Sequence, residues 1–318
     1  MPSFSGTVED TIPSGLRLDR YVAEYLKLLS RSQIKARNLE VRLNGKAVKI
    51  SRLLKGGERL DLSWAEAESP FLVPENIPLD VIYEDKRVIV VNKAQGMVVH
   101  PGAGNRQGTL ANALLFRRLA CGSVENNTAV CFADSASAGQ RPGIVHRLDK
   151  DTSGVMIAAW DEQALAFLAE QFKARKVRKS YAALVLGCPR QTLGSIDKKI
   201  VRSRRDRKTF TVSDTEGRTS LTRFKVIRTW GDYSLLLLRP KTGRTHQIRV
   251  HLKHLGNPIL GDPLYGRPDS RFKKTSLMLH AKSLSLKIPE HEEPGVFKTA
   301  LPLRFRTILQ ILNSGYRR

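Results

Sequence analysis

Residues 143–172 read GIVHRLDKDTSGVMIAAWDEQALAFLAEQF, and three kinds of local structure follow one another there. Between Gly143 and Gly154 the chain packs two acids, a histidine and two cations, a composition that reads as a loop. Residues 155–160 are an apolar run short enough for a strand. Residues 161–172 carry helical spacing, with Asp161 placed to cap the first turn. Working outward, residues 88–91 (VIVV) read as a short buried strand, and 181–186 and 233–238 alternate like strands. Residues 110–119 form a helix entered from a loop at 105–107, and residues 123–140 are small, polar and without period, hence a loop. Residues 247–255 place Ile248, Leu252 and Leu255 on one helical face, with Gly256 as the stop and Pro258 preventing resumption. The mixture predicts an α+β fold with a mainly antiparallel sheet.

The amino-terminal part has separate signals. Leu18, Tyr21, Val22, Tyr25, Leu26 and Leu29 share a helical face, and Ser30 with Gln33 has the spacing of a capping box for a second short helix. Asn44-Gly45 between apolar pairs predicts a hairpin, and Gly56-Gly57 precedes a last strand near residues 59–62. Residues 65–78 (AEAESPFLVPENIP) hold three prolines and three acids and read as a linker. The expected division is therefore a small domain at 1–64, a linker at 65–78 and a larger domain at 79–318. A length of 318 residues suits two domains.

Charge narrows the function. Lys+Arg 54 against Asp+Glu 30 gives +24, which favours a polyanionic partner, above all nucleic acid. Residues 170–255 hold 22 Lys+Arg and 6 Asp+Glu, a balance of +16, densest around Lys198-Lys199, Arg202, Arg204, Arg205, Arg207 and Lys208. No apolar run approaches the ~20 residues of a membrane span, and MPSFSGTVED lacks the pattern of a signal peptide. Cys121, Cys131 and Cys188 are an odd set without metal-ligand spacing, so the expectation is a reducing cytoplasm and no zinc.

Two stretches carry candidate chemistry. The loop around Asp149 and Asp151 fits either a catalytic loop beside a rigid strand or a turn whose aspartates cap backbone N–H groups. The second, TGRTHQIRVH at 242–251, starts in a turn and enters a helix, with Arg249 off the apolar face and so not required in the core. His246, His251 and His254 lack a nearby carboxylate to complete a metal set and read mainly as structural. Gly102 to Gly108 misses dinucleotide-loop spacing by one residue, and no P-loop or serine triad has local support.

HRLDKDTSG at 146–154 resembles the signature of the Rlu family of ribosomal large-subunit pseudouridine synthases. Asn92-Lys93 with VVHPGAG at 98–104, Lys179-Ser180-Tyr181, TGRTHQIRVH at 242–251 and GDPLYG at 261–266 occur in the order of that family, across about 79–303. The stretch containing HPGAG at 100–104 most resembles the branch that modifies a stem-loop at the subunit interface. Residues 16–62 are similar to the alpha-L type RNA-binding module. The resemblance implies a mainly antiparallel mixed-sheet catalytic domain with a small α/β RNA-binding module before it. It implies isomerisation of uridine in RNA, without cofactor or metal, by a cytoplasmic monomer whose partner is large-subunit ribosomal RNA and not a membrane.

On this resemblance Asp149 is the essential carboxylate, and Tyr181 packs on the target base. Arg249 pairs with Asp149, and Arg147 helps flip the nucleotide. Asp151 is structural, while Arg31, Ser32 and Lys35 are the amino-terminal RNA contacts. A hydrolase using Asp149 with Asp151, or a non-catalytic RNA-binding assembly factor, are the competing readings.

Overall fold

The computed structural model describes residues 1–13, 15–65, 72–102, 104–120 and 143–315. The expected loop at 123–140, with Cys121 and Cys131, lies outside them. Contacts divide the chain into units 1–71 and 72–318.

In the first unit, β1 (Ser3–Thr7), β2 (Glu40–Leu43), β3 (Lys46–Ala47) and β4 (Arg59–Ser63) form an antiparallel sheet in the order β1-β4-β2-β3. Strand β1 has no apolar alternation strong enough to announce it, and it forms because its backbone pairs with β4. The first helix is shorter than its apolar pattern. Helix α1 (Leu18–Arg20) widens into a π-turn (Tyr21–Tyr25), closed by Leu26 N–H to the Tyr21 carbonyl at 3.0 Å. Lys27 then takes a left-handed conformation, φ 53°, and Leu29 reaches the core from outside the helix. The expected capping box forms at α2 (Arg31–Ala36): Ser30 N–H donates to Gln33 Oε1 at 2.8 Å, and Gln33 N–H donates to Ser30 Oγ at 3.3 Å. Asn44 and Gly45 both adopt positive φ, as the tight β2–β3 turn requires.

In the second unit the strands are β5 (Val81–Glu84), β6 (Val88–Lys93), β7 (Ser153–Ala159), β8 (Arg178–Leu186), β9 (Leu193–Arg202), β10 (Phe210–Ser213), β11 (Arg218–Trp230), β12 (Tyr233–Pro240), β13 (Leu279–Leu286) and β14 (Gly295–Lys298). They make one sheet in the order β10-β9-β11-β12-β8-β13-β7-β6-β5, with β14 on β13. Every pairing within it is antiparallel except β13 with β7. Strand β7 explains its own composition. Val155, Ile157 and Ala159 face a core with Ala164 and Leu168 of α4 (Glu162–Lys173), while Met156 and Ala158 face Leu110 and Leu114 of α3 (Leu110–Ala120). A strand covered on both sides must be apolar at every position. Asp161 caps α4, accepting from Ala164 N–H at 2.9 Å. A third core joins β8 and β12 to α5 (Gln247–His254) and α6 (Leu303–Gly315) through Leu184, Leu236, Leu252, Phe305 and Leu312.

The end of the proline-rich stretch is built into this unit. The Val73 carbonyl accepts from Asn112 Nδ2 at 2.8 Å, and the Glu75 carboxylate accepts from Gly108 N–H at 3.0 Å.

Candidate active site

A cleft of about 970 Å³ opens beside β8, and Asp149, Arg147, Tyr181, Lys179, His246 and Arg249 all line it. Asp149 sits in a tight turn, its carbonyl accepting Thr152 N–H at 3.0 Å. That turn is held from below by Lys93, 1% exposed, whose ammonium donates to the carbonyls of Ala94, Met97 and Lys150 at 2.9, 2.8 and 3.1 Å. Burial lowers the Lys93 pKa to about 8, against the opposing pull of Asp149 and Asp151. Gln95 Nε2 adds a bond to the Asp151 carbonyl at 3.0 Å. On the other side the His146 ring stacks on Phe172, centroids 4.7 Å apart, and its Nε2 accepts Ile157 N–H at 3.1 Å. Burial, with Lys179 nearby, lowers the pKa of His146 to about 3, so it is a neutral anchor of the loop. The glycine ending the loop is also required. Gly154 has φ 123°, and a Cβ there would fall on the Ala281 backbone of β13.

Arg249 projects from α5 into this site and is 4% exposed, although its position off the apolar face does not require it in the core. Residues 247–252 are all buried, so the helix has no free face there. Arg249 forks onto Asp262, with Nε to Oδ2 at 2.8 Å and Nη2 to Oδ1 at 2.7 Å. Its remaining nitrogen, Nη1, lies 3.4 Å from Asp149 Oδ2. Asp262 Oδ1 also accepts the N–H groups of Leu264 and Tyr265 at 2.9 and 3.0 Å. Burial raises the Asp262 pKa, but Arg249 and the two N–H groups outweigh it and hold the carboxyl below its ordinary value. The expected Asp149–Arg249 contact is therefore present, with Asp262 as the tighter partner. Asp262 lies within GDPLYG, but the spacing in sequence does not mark it as the anchor of Arg249.

Tyr181 lies on β8 between Leu238 of β12 and Ala281 of β13. Burial first, then the Asp149 charge, pushes its phenol pKa up, so it is a neutral hydroxyl. Lys179, two residues earlier on the same face of β8, has its pKa lowered by burial. Among the described residues no carboxylate lies within 4 Å of its ammonium. Arg147 is exposed at the cleft. His251, by contrast, is spent on structure, its two ring nitrogens within 2.8 and 2.9 Å of the Ser220 and Thr222 hydroxyls. In the amino-terminal unit Arg31 meets the buried Asp19 at 3.0 Å, and Asp19 also meets Arg17 at 2.9 Å. The Ser32 and Lys35 side chains lie outside the described residues.

Residues 87–254 match the family described as RNA pseudouridylate synthase. The chain is 42% identical to the ribosomal large subunit pseudouridine synthase D of Borreliella burgdorferi, over 92% of this chain and 88% of that protein. It is also 42% identical to an uncharacterized RNA pseudouridine synthase of Aquifex aeolicus, over 92% of each. Among solved structures it is similar to human RNA pseudouridylate synthase domain containing 4, with TM-score 0.57 and 27% identity over 73% of this chain and 92% of that one. With the two bacterial relatives spanning nearly the whole chain, the protein belongs to the RNA pseudouridylate synthase family and isomerises uridine in RNA to pseudouridine.

Proposed function

We propose that Asp149 is the carboxylate that carries the isomerisation and that the substrate is large-subunit ribosomal RNA. The observation behind the first part is Asp149 lining an open cleft, with a buried cation against one oxygen and that cation anchored by a second carboxylate. Arg249 sets a positive charge against Asp149 and fixes the direction of its carboxylate. In the reaction the bond from uracil N1 to the ribose anomeric carbon breaks, the detached base turns, and its carbon 5 bonds to the same carbon. The proton on carbon 5 then leaves and N1, now free of the ribose, takes one up, so atoms and charge balance. Three roles are open to the carboxylate: attack on the anomeric carbon, addition to the pyrimidine ring, or removal of the ribose 2′ proton to give a glycal. Tyr181, a neutral phenol on the cleft wall, packs on the base and assists loss of the carbon 5 proton. Arg147, exposed at the rim, holds the flipped-out nucleotide, because a stacked base leaves its glycosidic bond out of reach. Reactant and product are isomers, so the proposal assigns no cofactor.

The ribosomal assignment rests on the name of the Borreliella relative and on the +24 charge. The amino-terminal unit, through Arg31 with Ser32 and Lys35, adds a second RNA contact. We place the enzyme in the cytoplasm as a monomer. No helix among the described residues is long and apolar enough to cross a membrane.

The test is carbodiimide primer-extension mapping of unmodified large-subunit RNA after incubation with enzyme and EDTA. New stops at defined uridines are expected, with RNA length unchanged. Cleaved RNA or free uracil supports the hydrolase reading, and no new stop overturns the substrate. Asp149→Asn should abolish turnover while RNA affinity stays within a few-fold, since one charge among 54 cationic side chains changes phosphate attraction little.

A further inference from the structure

His246 occupies an unusual position. It has φ 55° and ψ 17°, a left-handed conformation that costs a β-carbon-bearing residue about 1 kcal/mol or more. It precedes the first turn of α5, yet its side chain makes no capping bond to that helix. The ring is held instead by aromatic edges, perpendicular to Phe210 and Tyr265 with centroids 5.7 and 5.5 Å away. Its Nδ1 lies 2.8 Å from the Tyr265 hydroxyl. That hydroxyl accepts Phe210 N–H at 2.9 Å, and among the described residues the one acceptor within reach of its own hydrogen is His246 Nδ1. A neutral ring that accepts at Nδ1 carries its own hydrogen at Nε2. The network therefore aims an Nε2–H donor into the cleft, where it stands 3.9 Å from Asp149 Oδ2. Burial lowers the His246 pKa, so no ion pair closes this distance at neutral pH.

A separation of 3.9 Å is too long for a hydrogen bond and right for one oxygen between the two atoms. An oxygen about 2.8 Å from each subtends roughly 90° between them, within the range a hydroxyl tolerates. The group must accept from Nε2–H and donate to a carboxylate. Carbonyl oxygens only accept, and the uracil N3–H only donates. Within an RNA chain the 3′ and 5′ oxygens are esterified and can only accept. The 2′-hydroxyl alone does both, and it sits on the carbon next to the anomeric centre.

We propose that His246 Nε2–H and Asp149 Oδ2 form the subsite for the 2′-hydroxyl of the target uridine, so that His246 is the residue that discriminates ribose from deoxyribose. The proposal rests on the reading of Asp149 as the reacting carboxylate. Tyr265 and Phe210 act through the His246 tautomer and orientation, as positioning groups.

The test pairs a protein change with a substrate change. A ribosomal stem-loop containing a uridine mapped as modified is made with ribose or 2′-deoxyribose at that nucleotide only, and kcat/KM is measured for both. Wild-type enzyme should prefer ribose by about 10-fold or more, the weight of one well-made hydrogen bond. His246→Leu should lose about 10-fold on the ribose substrate and little on the deoxy one. His246→Gln, whose amide can place a donor near the Nε2 position, should recover most of the preference. If His246→Leu does not fold, Tyr265→Phe supplies the comparison. It should weaken the preference in the histidine enzyme and leave it unchanged in the His246→Gln background. Equal losses on both substrates, or a preference undiminished without the donor, overturn the subsite. Asp149→Asn in the same assay separates the two claims. If it remains active, the role of Asp149 falls and the subsite with it; if it is inactive while the losses are equal, the subsite alone falls.

Discussion

Arg249 and Asp262 are 4% and 0% exposed at their side chains, and a buried ion pair is tolerable only when its remaining donors and acceptors are also used. Here they are: two N–H groups satisfy Asp262, and the third guanidinium nitrogen turns to Asp149. Removing one partner leaves the other charged and dry. Asp262→Asn should therefore lower unfolding free energy by about 3–5 kcal/mol and reduce turnover, as the loosened guanidinium no longer fixes Asp149. Urea unfolding beside single-turnover kinetics checks it; a loss below about 1 kcal/mol would mean that the backbone, rather than the pair, holds Arg249. Asp149, Tyr181 and Arg249, which line the cleft, stand out in the chain because each lies in a dense, recognisable stretch. The anchoring role of Asp262 and the direction of His246 are not, since both depend on which atom of a distant side chain is nearest.

At the scale of elements, the basic run at 198–208 is not a separate tail but the end of β9 and its turn into β10. The polar alternation of β9 to β11 conceals them as strands, since a sheet arm with one wet face needs few apolar residues. Arg202 stacks on Phe210 at 5.3 Å, and Phe210 in turn packs on His246, so the arm is continuous with the cleft wall. Arg205, Arg207 and Lys208 are exposed at its tip. Their joint replacement by Gln should leave stability within about 0.5 kcal/mol. It should reduce the slope of log affinity against log salt for ribosomal RNA by roughly 2–3, near 0.7–0.9 for each lost phosphate contact. An unchanged slope in filter binding at several salt concentrations would remove the arm from the RNA interface. The helices were more legible than this arm. Asp161 and Ser30 cap the helices they precede, and Gly256 has φ 84° after α5, because caps and stops are local chemistry.

At the scale of the whole molecule, burial in the larger unit holds His146, His251 and His280 neutral to well below the ordinary histidine pKa. Burial lowers the pKa of His146 to about 3 and those of His251 and His280 to about 4. In the unfolded chain each takes up a proton near 6.5. Between pH 6.5 and 4 the unfolded state therefore binds more protons, and stability rises with pH across that window. The stabilisation is complete above pH 6.5 and is lost as pH falls, by about 3 kcal/mol for a group moved to about 4. The melting temperature should drop steeply from pH 6.5 to 4.5, and His251→Gln should flatten that drop. An equally steep profile in the variant would assign the acid sensitivity elsewhere. The sequence alone determined what depends on neighbours along the chain: caps, turns, apolar runs, net charge and the motifs that mark the family. Folding decided what depends on neighbours across space. It brought residues 149, 181, 246 and 249 to one cleft, with Asp262 buried behind Arg249. It also buried Arg249 on the covered first turns of α5 and set His246 Nε2 3.9 Å from a carboxylate oxygen. Distances of that kind follow from the order of strands in a sheet, and strand order is fixed by the sum of all pairings rather than by any one stretch.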